Sequence, residues 1–158
     1  MGNRDYNKDR IFIERTLKVI AQYEEYKERF EKSYTHTLFI NACVGLLMVP
    51  ADSVIGELPL CDVDENNWGI SPTAIIKIKG EEGKSVRNIT RKLRHAIAHN
   101  NFHFECSDDP NAPIENLHIK NHKGEFTAKI PFLALKKFVL KLADESLKIL
   151  NVKIGHMS

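Results

Sequence analysis

The chain has 158 residues, of which 42% are hydrophobic and 28% charged, and its formal net charge is +2. This length and composition are typical of one globular domain with its own core, which we expect to span residues 1–158. The small net charge excludes a polycation that coats nucleic acid, although it permits a local basic patch.

Two helices are predicted in the first third of the chain. Ile13, Leu17 and Ile20 step by three and four, which predicts an amphipathic helix over residues 9–31. Residues 34–49 predict a second, more buried helix that stops before Pro50. Residues 51–71 then predict a long surface connection, which we expect Trp68 to anchor.

The middle of the chain mixes strand and helix signals. Ser71 and Pro72 are typical of a helix start, yet residues 74–79 alternate as well as they spiral, so a short helix and a strand both stay open there. Residues 84–100 predict an amphipathic helix with Leu93 at the centre of its apolar stripe. Residues 102–106 alternate as a strand does.

The last third predicts a hairpin and a helix. Apolar residues alternate within residues 114–130 on both sides of a turn at residues 121–124, which predicts two antiparallel strands. Pro131 then begins a final helix through residue 150. The expected fold is mainly α, an up-and-down bundle of four or five helices with a small antiparallel hairpin or sheet between the helix of residues 84–100 and the last helix.

Several sequence features predict a cytoplasmic protein without membrane association. The first ten residues lack the apolar stretch of a signal peptide, and the longest apolar run, residues 42–51, is too short to span a bilayer. Cys43, Cys61 and Cys106 form no disulfide framework and no CxxC pair, which favours free thiols in a reducing compartment.

The helix of residues 84–100 carries an unusual polar face. On a helical wheel, Arg91 and His95 lie opposite the apolar stripe, and Arg94 and His99 flank this face. Residues 84–104 contain five lysines or arginines and no carboxylate, whereas surface helices usually mix both signs. Because like charges repel, this face favours an anionic partner, and we expect a guanidinium and an imidazole to project from one exposed side.

Two other interpretations of this face stay open. It could be a solvated surface without any ligand. Alternatively, His95, His99 and His103 step by four, so the first two are candidate zinc ligands, joined by Cys106. The neighbouring cations and the absence of an HExxH pattern oppose a metal site, and we expect neither a metal nor a cofactor.

The segment RHAIAH, from Arg94 to His99, resembles the Arg-x4-His motif of the HEPN superfamily (higher eukaryotes and prokaryotes nucleotide-binding). A polar residue often follows the arginine in that superfamily, and His95 occupies this position here. The longer string LRHAIAHNNFHF, followed by a hairpin and a last helix, is similar to stand-alone HEPN-like proteins found on bacterial plasmids. The resemblance extends over residues 5–150.

The resemblance implies one of two activities. Many HEPN proteins are metal-independent endoribonucleases that act as homodimers, in which two motif helices meet across a two-fold axis and form a composite cleft. Others have lost catalysis and bind nucleotide, RNA or a partner protein. The first activity implies a toxin or defence role, with an antitoxin or a nucleotidyltransferase-like protein as a possible second partner.

The residues of this face predict a mechanism for RNA cleavage. His99 would serve as general base or acid, and Arg94 would hold the charge that develops on the phosphate. His95 would orient the phosphate or carry the second proton, and Asn100 would bond a sugar or fix His99. The products would be a 2′,3′-cyclic phosphate and a 5′-hydroxyl. The flanking RNA backbone would be held by Arg87, Arg91 and Lys92.

Other histidines and aromatic residues are predicted to be structural. His36 is expected to be a histidine with satisfied hydrogen bonds. Phe102 and Phe104 are assigned to the core in preference to stacking on a base. His118 and His122 are assigned to the surface of the hairpin.

Overall fold

Helices and an antiparallel sheet form the part of the chain that the computed structural model describes, namely residues 5–30, 34–109, 112–121 and 123–156. The helices are α1 (Tyr6–Tyr26), α2 (Thr35–Met48), α3 (Asp52–Ile55), α4 (Val86–Ala98) and α5 (Phe132–Gly155). The strands are β1 (Ile75–Ile78), β2 (Phe102–Glu105), β3 (Asn116–Lys120) and β4 (Phe126–Pro131). The predicted mainly-α class is confirmed. His122 lies outside the described residues.

The long helices follow the predicted periodicity. The Asp5 carboxylate caps α1 by accepting hydrogen bonds from the backbone N–H groups of Asn7 and Lys8. The helix predicted to reach residue 31 ends at Tyr26, and a 3-10 turn covers Lys27–Arg29; residue 31 is outside the described residues. The predicted second helix matches α2 to within one residue at each end, and α5 runs five residues beyond the predicted residue 150.

The sheet differs from the prediction in its position along the chain. Among the described residues, its four antiparallel strands lie in the order β1-β4-β3-β2. Since β1 precedes α4, the sheet is not confined to the segment between the motif helix and the last helix. Residues 75–78 therefore form a strand, because β4 supplies backbone hydrogen bonds that so short a segment could not satisfy as a lone helix turn.

The connection of residues 51–71 contains structure that the sequence did not predict. α3 buries Val54 and Ile55 within it. Trp68 is only 4% exposed, and its ring centroid lies 5.8 Å from that of Phe138 in α5. The predicted anchoring role of Trp68 is thus confirmed.

One core joins the helices to the sheet. Its largest fully buried side chains include Phe126 of β4 and Phe138 of α5, and Phe102 and Phe104 pack against it from β2. The core assignment of these two phenylalanines is confirmed. None of the helices in the described segments has the length and apolar character needed to cross a membrane.

Candidate functional site

Helix α4 turns one polar side towards solvent because its other side is fully buried. Ser85 caps its start by accepting a hydrogen bond from the Asn88 backbone N–H at 3.2 Å. Val86, Ile89 and Leu93 each show 0% exposure. Burial of this apolar stripe fixes the rotation of the helix, so the opposite residues, which include His95, face outwards.

The end of α4 is set by a turn with a left-handed residue. Asn100 has a φ of 53°, and its backbone N–H bonds the carbonyl of Ile97 at 3.2 Å. The N–H of Asn101 bonds the carbonyl of Ala96 at 2.8 Å, which completes a Schellman motif. Asparagine tolerates this backbone better than other non-glycine residues. Asn100 therefore ends the helix directly after His99, and it is Asn101 that faces the groove described next.

A groove of about 550 Å³ lies between α4 and the turn that joins β3 to β4. It contains four of the residues that the sequence assigned to the site or its flanks, which are Arg91, Lys92, His95 and His99. Asparagines and residues of the β3–β4 turn complete its lining, namely Asn88, Asn101, Asn121, Lys123 and Glu125.

His95 and His99 form an exposed pair at the mouth of this groove. Their ring centroids lie 4.3 Å apart and the ring planes meet at 48°. One helical turn separates the two residues, so the rings lie next to each other along α4. Two imidazoles at this spacing could act on neighbouring atoms of one ligand.

The α4 wall of the groove is basic, although one predicted cation is paired. Arg91 donates from Nη1 to both carboxylate oxygens of Glu82 at 3.1 Å, while 49% of its side chain stays exposed. Lys92 has no hydrogen bond or ion pair to any residue in the described part of the chain. The expectation of a face without acid partners is thus wrong for Arg91, because the loop before α4 folds Glu82 back against the helix.

The predicted shared face of Arg94 and His99 requires a correction. The Arg94 side chain is only 17% exposed, and Nη1 donates to the carbonyl oxygens of Leu47 at 2.9 Å and Pro50 at 2.6 Å. Nη2 also donates to Asp52 at 3.3 Å. Helix α2 ends at Met48, so the Leu47 carbonyl lacks an intrahelical partner, and Arg94 supplies one. Arg94 thus binds the end of α2 and does not line the groove.

Arg87 is also held outside the groove. Its Nε and Nη2 donate to the carbonyl oxygen of Leu58 at 3.0 and 2.9 Å. Its Nη1 lies 3.8 Å from the Glu82 carboxylate. Arg87 therefore ties α4 to the loop after α3, which a helical wheel could not reveal because the loop is distant in sequence.

The fold separates His103 from the other two histidines of the zinc interpretation. His103 lies on β2, where its ring stacks on that of His118 at 4.8 Å, and it does not join His95 and His99. Within residues 5–30, 34–109, 112–121 and 123–156, no group of three or more histidine, cysteine or acidic side chains is placed to hold a metal ion. Helix α4 ends before His103, so the four-residue spacing from His99 to His103 does not place the two side chains on one helix face.

His118 and Glu105 form part of a polar cluster on the outer side of the sheet. The Glu105 carboxylate lies 3.2 Å from His118 Nε2 and 3.0 Å from Lys129 Nζ, and it accepts from Asn116 Nδ2 at 2.5 Å. Hydrogen bonds from Lys129, His118 and Asn116 lower the pKa of Glu105 to about 2. Lys129 balances the charge of the Glu105 carboxylate, and Asn116 and His118 bond it, so we interpret the cluster as a structural element of the sheet.

His36 has the structural role predicted for it. Its Nδ1 accepts a hydrogen bond from the Ile114 backbone N–H at 2.9 Å, and its ring lies 4.0 Å from that of Phe132. Burial, with a smaller effect of Lys136, lowers the pKa of His36. A neutral ring is what this acceptor role requires.

The turn between β3 and β4 contributes groove residues that the sequence did not point to. Lys123 and Glu125 face α4 from this turn, and the Asn121 side chain organises it. A lysine in a predicted hairpin turn is a common feature of protein surfaces. Only the packing of the hairpin beside α4 gives it a place in the site.

Comparison with known proteins gives one family match. The family model described as HEPN pEK499 p136 matches residues 1–151. No curated protein and no solved structure matches the chain. The family match covers every element described above except the last residues of α5.

Proposed function

Because the chain belongs to the HEPN family, we propose that it is a metal-independent endoribonuclease. The observation that carries this proposal is the exposed His95–His99 pair, with rings 4.3 Å apart, in a groove that also holds Arg91 and Lys92. An imidazole pair can supply the base and the acid of RNA cleavage, and two cations can hold the phosphate.

The chemistry follows from the substrate. RNA carries its own nucleophile, the 2′-hydroxyl beside the scissile phosphate. One imidazole removes the 2′ proton, the 2′-oxygen attacks phosphorus, and the other imidazole protonates the departing 5′-oxygen. The products are a 2′,3′-cyclic phosphate and a 5′-hydroxyl, so atoms and charges balance without a metal. His99, at the helix end, and His95, one turn earlier, share these two tasks.

Each of the other predicted residues has its own part in this proposal. Arg91 and Lys92 hold the phosphate backbone, since both line the groove.

Arg94 acts as a positioning residue, because its bonds to Leu47 and Pro50 fix α4 against the end of α2. Arg87 and Asn100 support the two ends of α4 through the contacts given above.

The proposal extends to a homodimer and a cellular role. Two α4 helices facing each other across a two-fold axis would join two grooves into one cleft and bring four imidazoles together. The cell would use such an activity in the cytoplasm, as a toxin or defence element, with an antitoxin or a nucleotidyltransferase-like protein as its regulator.

The proposal is tested by cleavage of single-stranded RNA in EDTA. We expect wild-type protein to cleave, and His95→Ala or His99→Ala to lower the rate by a factor of about 10² to 10⁴, the usual contribution of a positioned proton carrier. His103→Ala is the matched control, because His103 is an exposed histidine outside the groove. Equal rates for all four proteins would contradict the proposal.

A second function, binding of RNA or nucleotide without cleavage, is favoured by one observation. The Arg94 guanidinium donates to two carbonyls and to Asp52, so the arginine of the HEPN motif is engaged away from the groove. Binding in EDTA without any product, with affinity lowered by Arg91→Ala and Lys92→Ala, would identify this second function.

A further inference from the structure

We propose that Lys123 and Asn121, which lie between β3 and β4, form a clamp that binds the phosphate backbone of the RNA strand from the side opposite α4. This inference rests on the proposed function and assigns a contact of the substrate to the hairpin. The clamp gives each chain a two-sided binding groove of its own, so that the groove does not depend on a second subunit for its opposite wall.

Hydrogen bonds join the described residues of this connection on both sides of residue 122. Asn121 Oδ1 accepts hydrogen bonds from the backbone N–H groups of Glu125 at 2.7 Å and Phe126 at 3.1 Å. Gly124, with a φ of 60°, donates its N–H to the Asn121 carbonyl at 2.9 Å. Phe126, which follows, is buried in the core and fixes the hairpin to the body.

The charges of the groove point to an anion as its occupant. Lys123 has no ion pair or hydrogen bond to any described residue, although Glu125 lines the same groove. Across the groove, α4 presents Arg91 and Lys92. Arg91 is paired with Glu82, so Lys92 and Lys123 are the two groove lysines that have no acidic partner among the described residues. A phosphate backbone between these two walls would supply that partner.

The volume of the groove suits a short segment of a single strand. A volume of about 550 Å³ is that of a site for a small molecule or a short piece of a chain. The amides of Asn88, Asn101 and Asn121 line it. Asn88 Nδ2 already donates to the Gly83 carbonyl and Asn121 Oδ1 already accepts two backbone hydrogen bonds, so Asn101 and the Nδ2 group of Asn121 are the ones left to bond ribose and base edges. The hairpin thus provides phosphate contact through Lys123 and neutral polar contact through Asn121.

The test measures the affinity of a fluorescent single-stranded RNA by anisotropy in EDTA, over a range of salt concentrations. Lys123→Ala should weaken binding by about three- to tenfold and reduce the slope of log K against log salt by about 0.7, the value for one phosphate contact on a single strand. Glu125→Gln should change affinity in the opposite direction, tightening binding about two- to fivefold. Lys18→Ala removes an exposed lysine from α1, outside the groove, and is the charge-matched control.

The outcomes separate this inference from the proposed function. Opposite shifts for Lys123→Ala and Glu125→Gln, with Lys18→Ala within twofold of wild type, support the clamp. If Lys123→Ala and Lys18→Ala behave alike while Arg91→Ala weakens binding, the clamp is wrong and the α4 site stands. If the clamp variants shift binding as expected but wild type yields no cleavage product, the nuclease proposal fails and the clamp stands. Lys123→Gln keeps a long polar side chain and removes the charge. Weaker binding by this variant as well would show that the effect of Lys123→Ala does not come from a local folding defect.

Discussion

Arg94 shows that one residue can fit a catalytic motif and still be held by structural contacts. The sequence assigned its guanidinium to a phosphate, because arginine and histidine at this spacing are typical of HEPN proteins. In the fold, Nη1 donates to two carbonyl oxygens at the end of α2. Its partner Asp52 is 98% exposed, so that ion pair contributes little, and the carbonyl bonds are the important ones.

Replacing Arg94 should therefore lower stability as well as activity. Arg94→Ala leaves two carbonyl acceptors without their charged donor, and hydrogen bonds of this kind contribute about 1.5 to 3 kcal/mol each. Because one nitrogen, Nη1, donates both bonds, their contributions do not simply add, and we expect the free energy of unfolding, measured in urea, to fall by about 2 to 3 kcal/mol. His99→Ala is the control, since the side chain is exposed and its removal should change stability by about 0.5 kcal/mol or less.

The opposite result would revise the role of Arg94. If Arg94→Ala is as stable as wild type and loses cleavage completely, its guanidinium leaves the α2 carbonyls to contact RNA. Activity and stability must accordingly be measured on the same preparations of this variant.

Among the helices and strands, periodicity predicted the long helices and the hairpin but not which segments pack against them. α2 and α4 were found within two residues of their bounds, because their buried stripes are local in sequence. β1 was ambiguous, because its partner Ala128 lies more than fifty residues from Ile75. The groove could be predicted only on its α4 side, since no local signal shows that the β3–β4 turn packs beside that helix.

The sheet also makes a prediction about acid stability. Lys129, His118 and Asn116 lower the pKa of Glu105 to about 2, below the ordinary glutamate value expected in the unfolded chain. A carboxylate whose pKa is depressed by folding stabilises the fold above its unfolded pKa, and this stabilisation is lost as pH falls towards the folded pKa. We expect wild type to have a higher Tm than Glu105→Gln near pH 6, and the difference to shrink between pH 4.5 and pH 2.

The control for this sheet prediction is Glu115→Gln, because Glu115 is an exposed carboxylate close in sequence to β3. Its Tm difference from wild type should change less over the same pH range. A Glu105→Gln difference that stays constant from pH 6 to pH 2 would refute the role of the cluster.

The protein is proposed to combine a groove within each chain with a cleft between two chains. Ala98 is a small, exposed residue at the end of α4, where two motif helices would approach in the dimer. Ala98→Arg should convert the dimer to a monomer in sedimentation velocity and reduce cleavage. Because the hairpin completes the groove within each chain, RNA affinity should stay within a few-fold of wild type.

Asp144→Arg, an exposed substitution on α5, is the control for that dimer experiment. It should leave the sedimentation coefficient and the cleavage rate unchanged. If wild-type protein sediments as a monomer while it cleaves RNA, the dimer is not needed for cleavage. The groove of one chain would then be the complete site.

Two RNA strands that differ in one atom test whether the His95–His99 pair activates the 2′-hydroxyl of the substrate. The first is all ribose, and the second carries a 2′-deoxy sugar at the mapped cleavage position. If the His95–His99 pair activates the 2′-hydroxyl, the first strand yields a 2′,3′-cyclic phosphate and a 5′-hydroxyl in EDTA, and the second binds equally well but is not cut there. Cleavage of the deoxy-substituted strand at that position, or loss of all cleavage in EDTA, would contradict the account.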